Sequence, residues 1–183
     1  MPKYPAIAEQ ELVRQCKHGD LKHQELLYKQ FYGYAMGIGL RYLANRDDAL
    51  EVVNDAFIKV FNTIKSVDEK LPFKPWLRKV IVNTAIDRRR KNLRNLAEAD
   101  LDEAAFIATP ALAVSKLNAN DIVTMMQLLP ELNRLVFNLY EVDGYNHEEI
   151  GVMLNIAASS SRVYLGRAKE RLRKMILQQE EKG

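Results

Sequence analysis

Residues 146–174 read NHEEIGVMLNIAASSSRVYLGRAKERLRK, and this stretch decides the fold. Asn146 followed by Glu149 forms a capping box with Asn in place of Ser or Thr, so a short helix begins there. A tight turn follows, and a second helix ends in a run of basic residues. Leu154, Ile156, Leu165, Ala168, Leu172 and Ile176 supply a buried face. Arg162, Val163, Gly166 and Arg167 fall on the other face near the start of the second helix, with Ser160 just before them. That is the layout of a helix-turn-helix, whose second helix reaches base edges in the DNA major groove. Ala157 stands at the N-cap of the second helix. An alanine there costs roughly 1 kcal/mol unless Ser159 or Ser160 supplies the capping oxygen.

Outward from this stretch, positive charge is clustered. The net charge of the 183 residues is only +3. Yet residues 74–94 hold eight Lys and Arg side chains against the single acid Asp87, and residues 162–174 hold six against Glu170. Two such segments are the footprint of a polyanionic partner. In residues 76–91, Lys79, Asn83 and Asp87 come before Arg88, Arg89, Arg90 and Lys91. Asn83 and Asp87 share a helix face and can offer donors and acceptors to a base, while the cations can neutralise phosphates. Arg171, Arg173 and Lys174 fit either phosphate contacts or a solvated face.

Helical periodicity runs through almost every long segment, and no strand alternation competes with it. Residues 7–17 form a short helix, Asp20 caps the next, and Leu27, Phe31, Tyr34, Ala35, Ile38 and Tyr42 line one side of it. Asp47 and Asp48 open a third helix, with Val52, Val53, Ala56, Phe57, Val60, Phe61 and Ile64 as its apolar face and Glu51 and Asp55 one turn apart on another. Residues 66–75 read as a loop with two prolines. Trp76 reads as a core anchor. Residues 95–115 are rich in Ala, Asp and Glu and read as a linker. Pro130 sits where a later helix can begin and Gly144 where it should stop. The reading is an all-α chain of two small helical domains, 1–94 and 116–183, joined by the linker 95–115.

With these segments in place, the chain resembles extracytoplasmic-function (ECF) RNA polymerase sigma factors of the sigma-70 family. Asp48-Ala49-Leu50-Glu51-Val52-Val53-Asn54-Asp55-Ala56-Phe57 follows the family's polymerase-binding helix. Phe73, Trp76, Leu77, Val80, Asn83, Asp87 and Arg90 follow its next pattern. Leu129, Pro130, Arg134, Val136, Phe137, Gly144, Glu148, Glu149, Ile150 and Gly151 follow the C-terminal one. Ser161 and Gly166 depart from it, standing where an apolar and a bulky residue are usual. The resemblance implies a region 2 domain that docks on core polymerase through Asp48, Glu51, Val52, Asp55 and Phe57. That domain would capture and melt the −10 element through Lys79, Asn83, Asp87, Arg88, Arg90 and Lys91. It also implies a region 4 domain that reads the −35 element through Ser160, Arg162, Val163, Gly166 and Arg167. Core polymerase, promoter DNA and an anti-sigma factor are the implied partners.

Other chemistry is poorly supported. Cys16 is the only cysteine, which leaves no disulfide framework or Cys-rich zinc site and suits a reducing compartment. His147-Glu148-Glu149 lacks the second histidine of a zinc-protease helix, since Gly151 occupies that place. The three histidines are scattered and read as surface residues. No nucleotide-binding glycine loop or acid–base cluster appears. The expectation is a cytoplasmic protein without metal, cofactor, catalytic residue or membrane insertion. The rival reading is a helix-turn-helix regulator that binds duplex DNA independently of polymerase.

Overall fold

The computed structural model describes residues 8–69, 71–98 and 119–180. Among these the regular elements are helices only: α1 (Glu9–Lys17), α2 (Leu21–Tyr42), α3 (Arg46–Thr63), α4 (Phe73–Glu98), α5 (Ala119–Gln127), α6 (Glu131–Phe137), α7 (His147–Leu154) and α8 (Ala158–Glu180). A 3₁₀ turn, Ile64–Ser66, follows α3, and a π-helical turn, Asn138–Val142, extends α6. The chain divides into two compact units, residues 1–39 with 47–85 and residues 40–46 with 86–183. The linker expected at 95–115 lies outside the described residues beyond 98, where α4 ends.

In the first unit, Asp20 caps α2 as its sequence suggests: its Oδ1 accepts from the Lys22 backbone N–H at 2.9 Å. Leu12, Val13 and Cys16 of α1, Leu27, Phe31, Ala35 and Ile38 of α2, and Val52, Val53, Ala56, Phe57 and Val60 of α3 are buried. Gly39 lets α2 and α3 cross closely, since a Cβ there would sit 3.3 Å from the Ala49 Cβ and the Val53 Cγ2. Burial raises the Cys16 thiol to about 11, with the Asp20 charge adding to the effect. The thiol therefore stays protonated near neutrality and is not a ready nucleophile.

The loop expected at 66–75 ends earlier. Helix α4 begins at Phe73 because the Glu9 carboxylate of α1 accepts from the Phe73 backbone N–H at 2.8 Å. A carboxylate at a helix N-terminus satisfies an orphan donor and complements the helix dipole. Pro75 then lies in the first turn, where its missing N–H removes no helical hydrogen bond. Phe73 is the buried anchor, its ring 5.0 Å from that of Phe31. Trp76, expected to fill the core, is only half-buried and packs against Phe73.

The second unit is organised around Arg134, which is buried. Its Nε donates to the Tyr42 carbonyl at 3.0 Å, and its Nη1 donates to the carbonyls of Gln127 at 3.1 Å and Leu129 at 3.0 Å. Asn138, wholly buried, donates to the Arg41 and Arg134 carbonyls at 2.9 Å each. Arg134 and Asn138 thereby supply donors to carbonyls at the ends of α2 and α5, while the Arg134 carbonyl also accepts from the Asn138 backbone N–H. Met125, Met126, Leu129, Leu135, Val136, Leu139, Ile150, Leu154, Leu165 and Ala168 form the apolar core around them.

Candidate nucleic-acid and polymerase interfaces

Helix α7 starts at the expected capping box. Asn146 Oδ1 accepts from the Glu149 N–H, and the Glu149 carboxylate accepts from the Asn146 N–H, both at 2.8 Å. The helix ends at Asn155, whose φ of 55° and ψ of 51° are left-handed. Asparagine is one of the few side chains that visits this region readily. The turn then folds tightly back. The Ile156 N–H bonds the Gly151 carbonyl at 3.0 Å, and a Cβ on Gly151 would lie 2.8 Å from the Ile156 carbonyl oxygen. The missing side chain is what admits the turn at this distance. Helix α8 begins at Ala158, so Ala157 holds the cap position without a capping oxygen.

On α8, Leu165 and Ala168 are buried, whereas Ile156 of the turn and Leu172 and Ile176 of α8 are only half-buried. Arg162, Val163, Gly166 and Arg167 are exposed together on the opposite face, and Ser160 is half-buried at its edge. Two bridges tie the first turn of α7 to α8. The Arg162 Nη2 donates to the Glu148 carboxylate at 2.9 Å. Beside it, His147 Nδ1 and Ser161 Oγ are 2.9 Å apart, and the His147 ring stacks on Tyr140 with centroids 4.5 Å apart. Ser161 is fully buried. A polar side chain thus fills a place that suits an apolar one, and its hydroxyl is satisfied by a histidine that sequence reading left on the surface. The pairing could have been suspected only from the buried register of Ser161.

Gly166 has open space where a Cβ would be. Gly166→Ala is therefore expected to stabilise α8 by about 1 kcal/mol through helix propensity alone. A thermal unfolding midpoint at or below that of the wild type would contradict this.

Along α4, Lys79, Asn83, Asp87 and Lys91 are exposed at successive four-residue steps. Arg88 and Arg90 are half-buried, and Arg89 is buried. Within the second unit, Arg90 Nη2 donates to the Met153 carbonyl at 2.6 Å and the Val152 carbonyl at 3.3 Å, and Arg89 Nη1 donates to the Leu154 carbonyl at 3.3 Å. Cations at the C-terminal carbonyls of α7 complement its dipole. Arg90, expected to face promoter phosphates, is turned onto α7 here, and Arg89 is withdrawn with it.

Helix α3 requires a second correction. Val52 and Phe57, expected on the docking surface, are buried at 0% and 2% exposure. Helical rotation puts them with Val53, Ala56 and Val60, and the Phe57 ring packs edge-on against Tyr28 at 4.8 Å. The outer face carries Asp47, Leu50, Glu51, Asn54, Asp55 and Ile58, with Asp48 half-buried at its start. Of its two apolar residues, Leu50 and Ile58, the second is the more exposed, at 60%, and is the one sequence reading missed.

Among the described residues, a wholly helical architecture with a capped helix-turn-helix and a basic helix is that of a DNA-binding protein. Two family models match it, Sigma-70 region 2 over residues 27–95 and Sigma-70 region 4 over residues 119–172. The chain belongs to the sigma-70 family and is an RNA polymerase sigma factor of the ECF type. It is 26% identical to the ECF RNA polymerase sigma-E factor of Haemophilus influenzae over 182 residues, covering 93% of this chain and 96% of that one. It is 27% identical to the sigma-E factor of Escherichia coli K12 over 176 residues, covering 90% and 92%. It is 24% identical to the RNA polymerase sigma-H factor of Pseudomonas aeruginosa over 180 residues, covering 92% and 93%. The sigma factor RpoE of Bartonella quintana, solved with the anti-sigma factor NepR, shares the fold with a TM-score of 0.53 at 19% identity, over 85% of this chain and 98% of that one.

Among the described residues no helix is long and apolar enough to cross a membrane.

Proposed function

We propose that this sigma factor uses three helices as three grips. The outer face of α3, with Leu50, Glu51, Asp55 and Ile58, docks on a basic helical surface of core polymerase. The exposed line Lys79, Asn83, Asp87 and Lys91 on α4 takes the non-template strand of the −10 element, where unstacked bases can be held by polar side chains. The exposed face of α8 reads the −35 element, with Arg162 and Arg167 as donors to base edges and Val163 as an apolar contact. The corresponding domains are 1–94 and 116–183. An anti-sigma partner and a cytoplasmic setting follow from the same reading.

The observation that carries it is the outward face of α8, where Arg162, Val163, Gly166 and Arg167 lie side by side on a helix fixed by two bridges to α7. Run-off transcription tests the whole. The protein should have little affinity for bare duplex, and it should fire promoters bearing both elements once core polymerase is added. Tight duplex binding with no transcription above core enzyme alone would refute it.

Docking has its own test. Ile58 is exposed on α3, so Ile58→Asp should leave the fold intact while placing a charge in an apolar contact. Binding to core polymerase, titrated by fluorescence anisotropy, should weaken at least tenfold, about 1.4 kcal/mol. Unchanged affinity would remove this face of α3 from the interface.

A further inference from the structure

We infer that Glu148 is a positioning residue for base readout, holding the Arg162 guanidinium in the pose in which it meets the −35 element; this rests on the proposed role of Arg162. The two side chains meet at 2.9 Å while both stay largely solvent-exposed, at 56% for Arg162 and 67% for Glu148. Exposed ion pairs add little to stability, so the fold has small need of this one. Its setting is nevertheless well fixed. Glu148 lies between Asn146 and Glu149, whose side chains close the capping box. Arg162 follows Ser161, which is locked to His147. The carboxylate therefore projects from the most constrained turn of α7 onto the outward face of α8.

Three chemical consequences follow. An untethered arginine samples many rotamers and must lose that freedom on binding DNA, whereas a tethered one has lost it beforehand. The contact runs through a single nitrogen, Nη2, so a two-donor edge of the planar fork is left for the O6 and N7 acceptors of a guanine. The carboxylate also opposes the non-specific alternative. If Arg162 swung to a phosphate, it would leave Glu148 unpaired beside a polyanion. Glu148 thus biases Arg162 towards a base and away from the backbone.

The test uses holoenzyme assembled from core polymerase and the full chain, transcribing a template library randomised in both promoter elements, with run-off transcripts sequenced. Glu148→Gln keeps the shape of the side chain and removes its charge. It and Arg162→Ala should each lower discrimination at the same −35 position about tenfold, and the double variant should lose no more than either single one. The thermal midpoint of Glu148→Gln should match the wild type, which separates positioning from a structural role. A Glu148→Gln profile identical to wild type, beside a broadened Arg162→Ala profile, would overturn the inference and leave the reading of Arg162 standing. So would a Glu148→Gln change at a different position, because Glu148 would then be touching a base itself. A gain uniform across all sequences would mean plain charge repulsion and would also overturn it. An Arg162→Ala profile identical to wild type would remove Arg162 from the readout, and the inference with it.

Discussion

Arg134→Ala should cost the second unit several kcal/mol, because hydrogen bonds to a charged group contribute about 1.5–3 kcal/mol each and alanine removes three of them. The side chain is buried and bridges three backbone carbonyls, those of Tyr42, Gln127 and Leu129. Hydrogen bonds with a charged partner are individually stronger than neutral ones, and a buried acceptor left unsatisfied carries a desolvation penalty of about 1–3 kcal/mol. Alanine removes the donors and opens a void that water must fill or the core must close. Arg134→Lys should fall between the two, because an ammonium cannot reproduce the spread of the planar fork. Urea unfolding followed by far-ultraviolet circular dichroism measures this. A midpoint for Arg134→Ala equal to that of the wild type would mean that the three carbonyls find other donors without loss.

The second large effect concerns selectivity. Arg162→Ala should reduce discrimination at one −35 position by about tenfold to a hundredfold, in line with the roughly 1–3 kcal/mol that a bidentate arginine–guanine contact contributes. Stability should hardly move, since Arg162 is exposed and its ion pair with Glu148 lies on the surface. Arg171→Ala, further along the same exposed side of α8, is the useful contrast. As a phosphate contact it would weaken all sequences alike and make binding less salt-dependent. Competition assays between promoters differing at single −35 positions separate the two. Uniform weakening by Arg162→Ala would reassign that residue to the backbone.

Local signals were legible in the sequence, and contacts across the chain were not. The capping box at Asn146 and Glu149, the Asp20 cap and the stop at Gly144 each need only a few adjacent residues, so spacing alone reveals them. The start of α4 at Phe73 depends on a carboxylate from Glu9, 64 positions away, and no local pattern contains it. On α3 the acidic and apolar faces meet edge to edge. The resemblance implies Val52 and Phe57 at the docking surface, although periodicity counts both in the apolar face, and burial places them in the core. Arg134 is visible as a motif letter, but one of its three carbonyls, that of Tyr42, lies 92 positions away. The basic run after Asp87 read as uniformly available to phosphate. Packing instead turns Arg89 and Arg90 onto α7 and leaves Lys91 exposed.

The two bridges between α7 and α8 share one spacing: His147 meets Ser161 and Glu148 meets Arg162, each fourteen residues apart. They are two marks of one register, which the burial of Ser161, Leu165 and Ala168 holds, so the length of the turn between the helices sets the phase of the recognition face. One residue inserted into that turn would shift both marks together and demand a rotation of about 100° to realign them. Such a rotation would carry Leu165 and Ala168 out of the core. Side chains on α8 can vary to retune what is read, but the number of residues in the turn cannot.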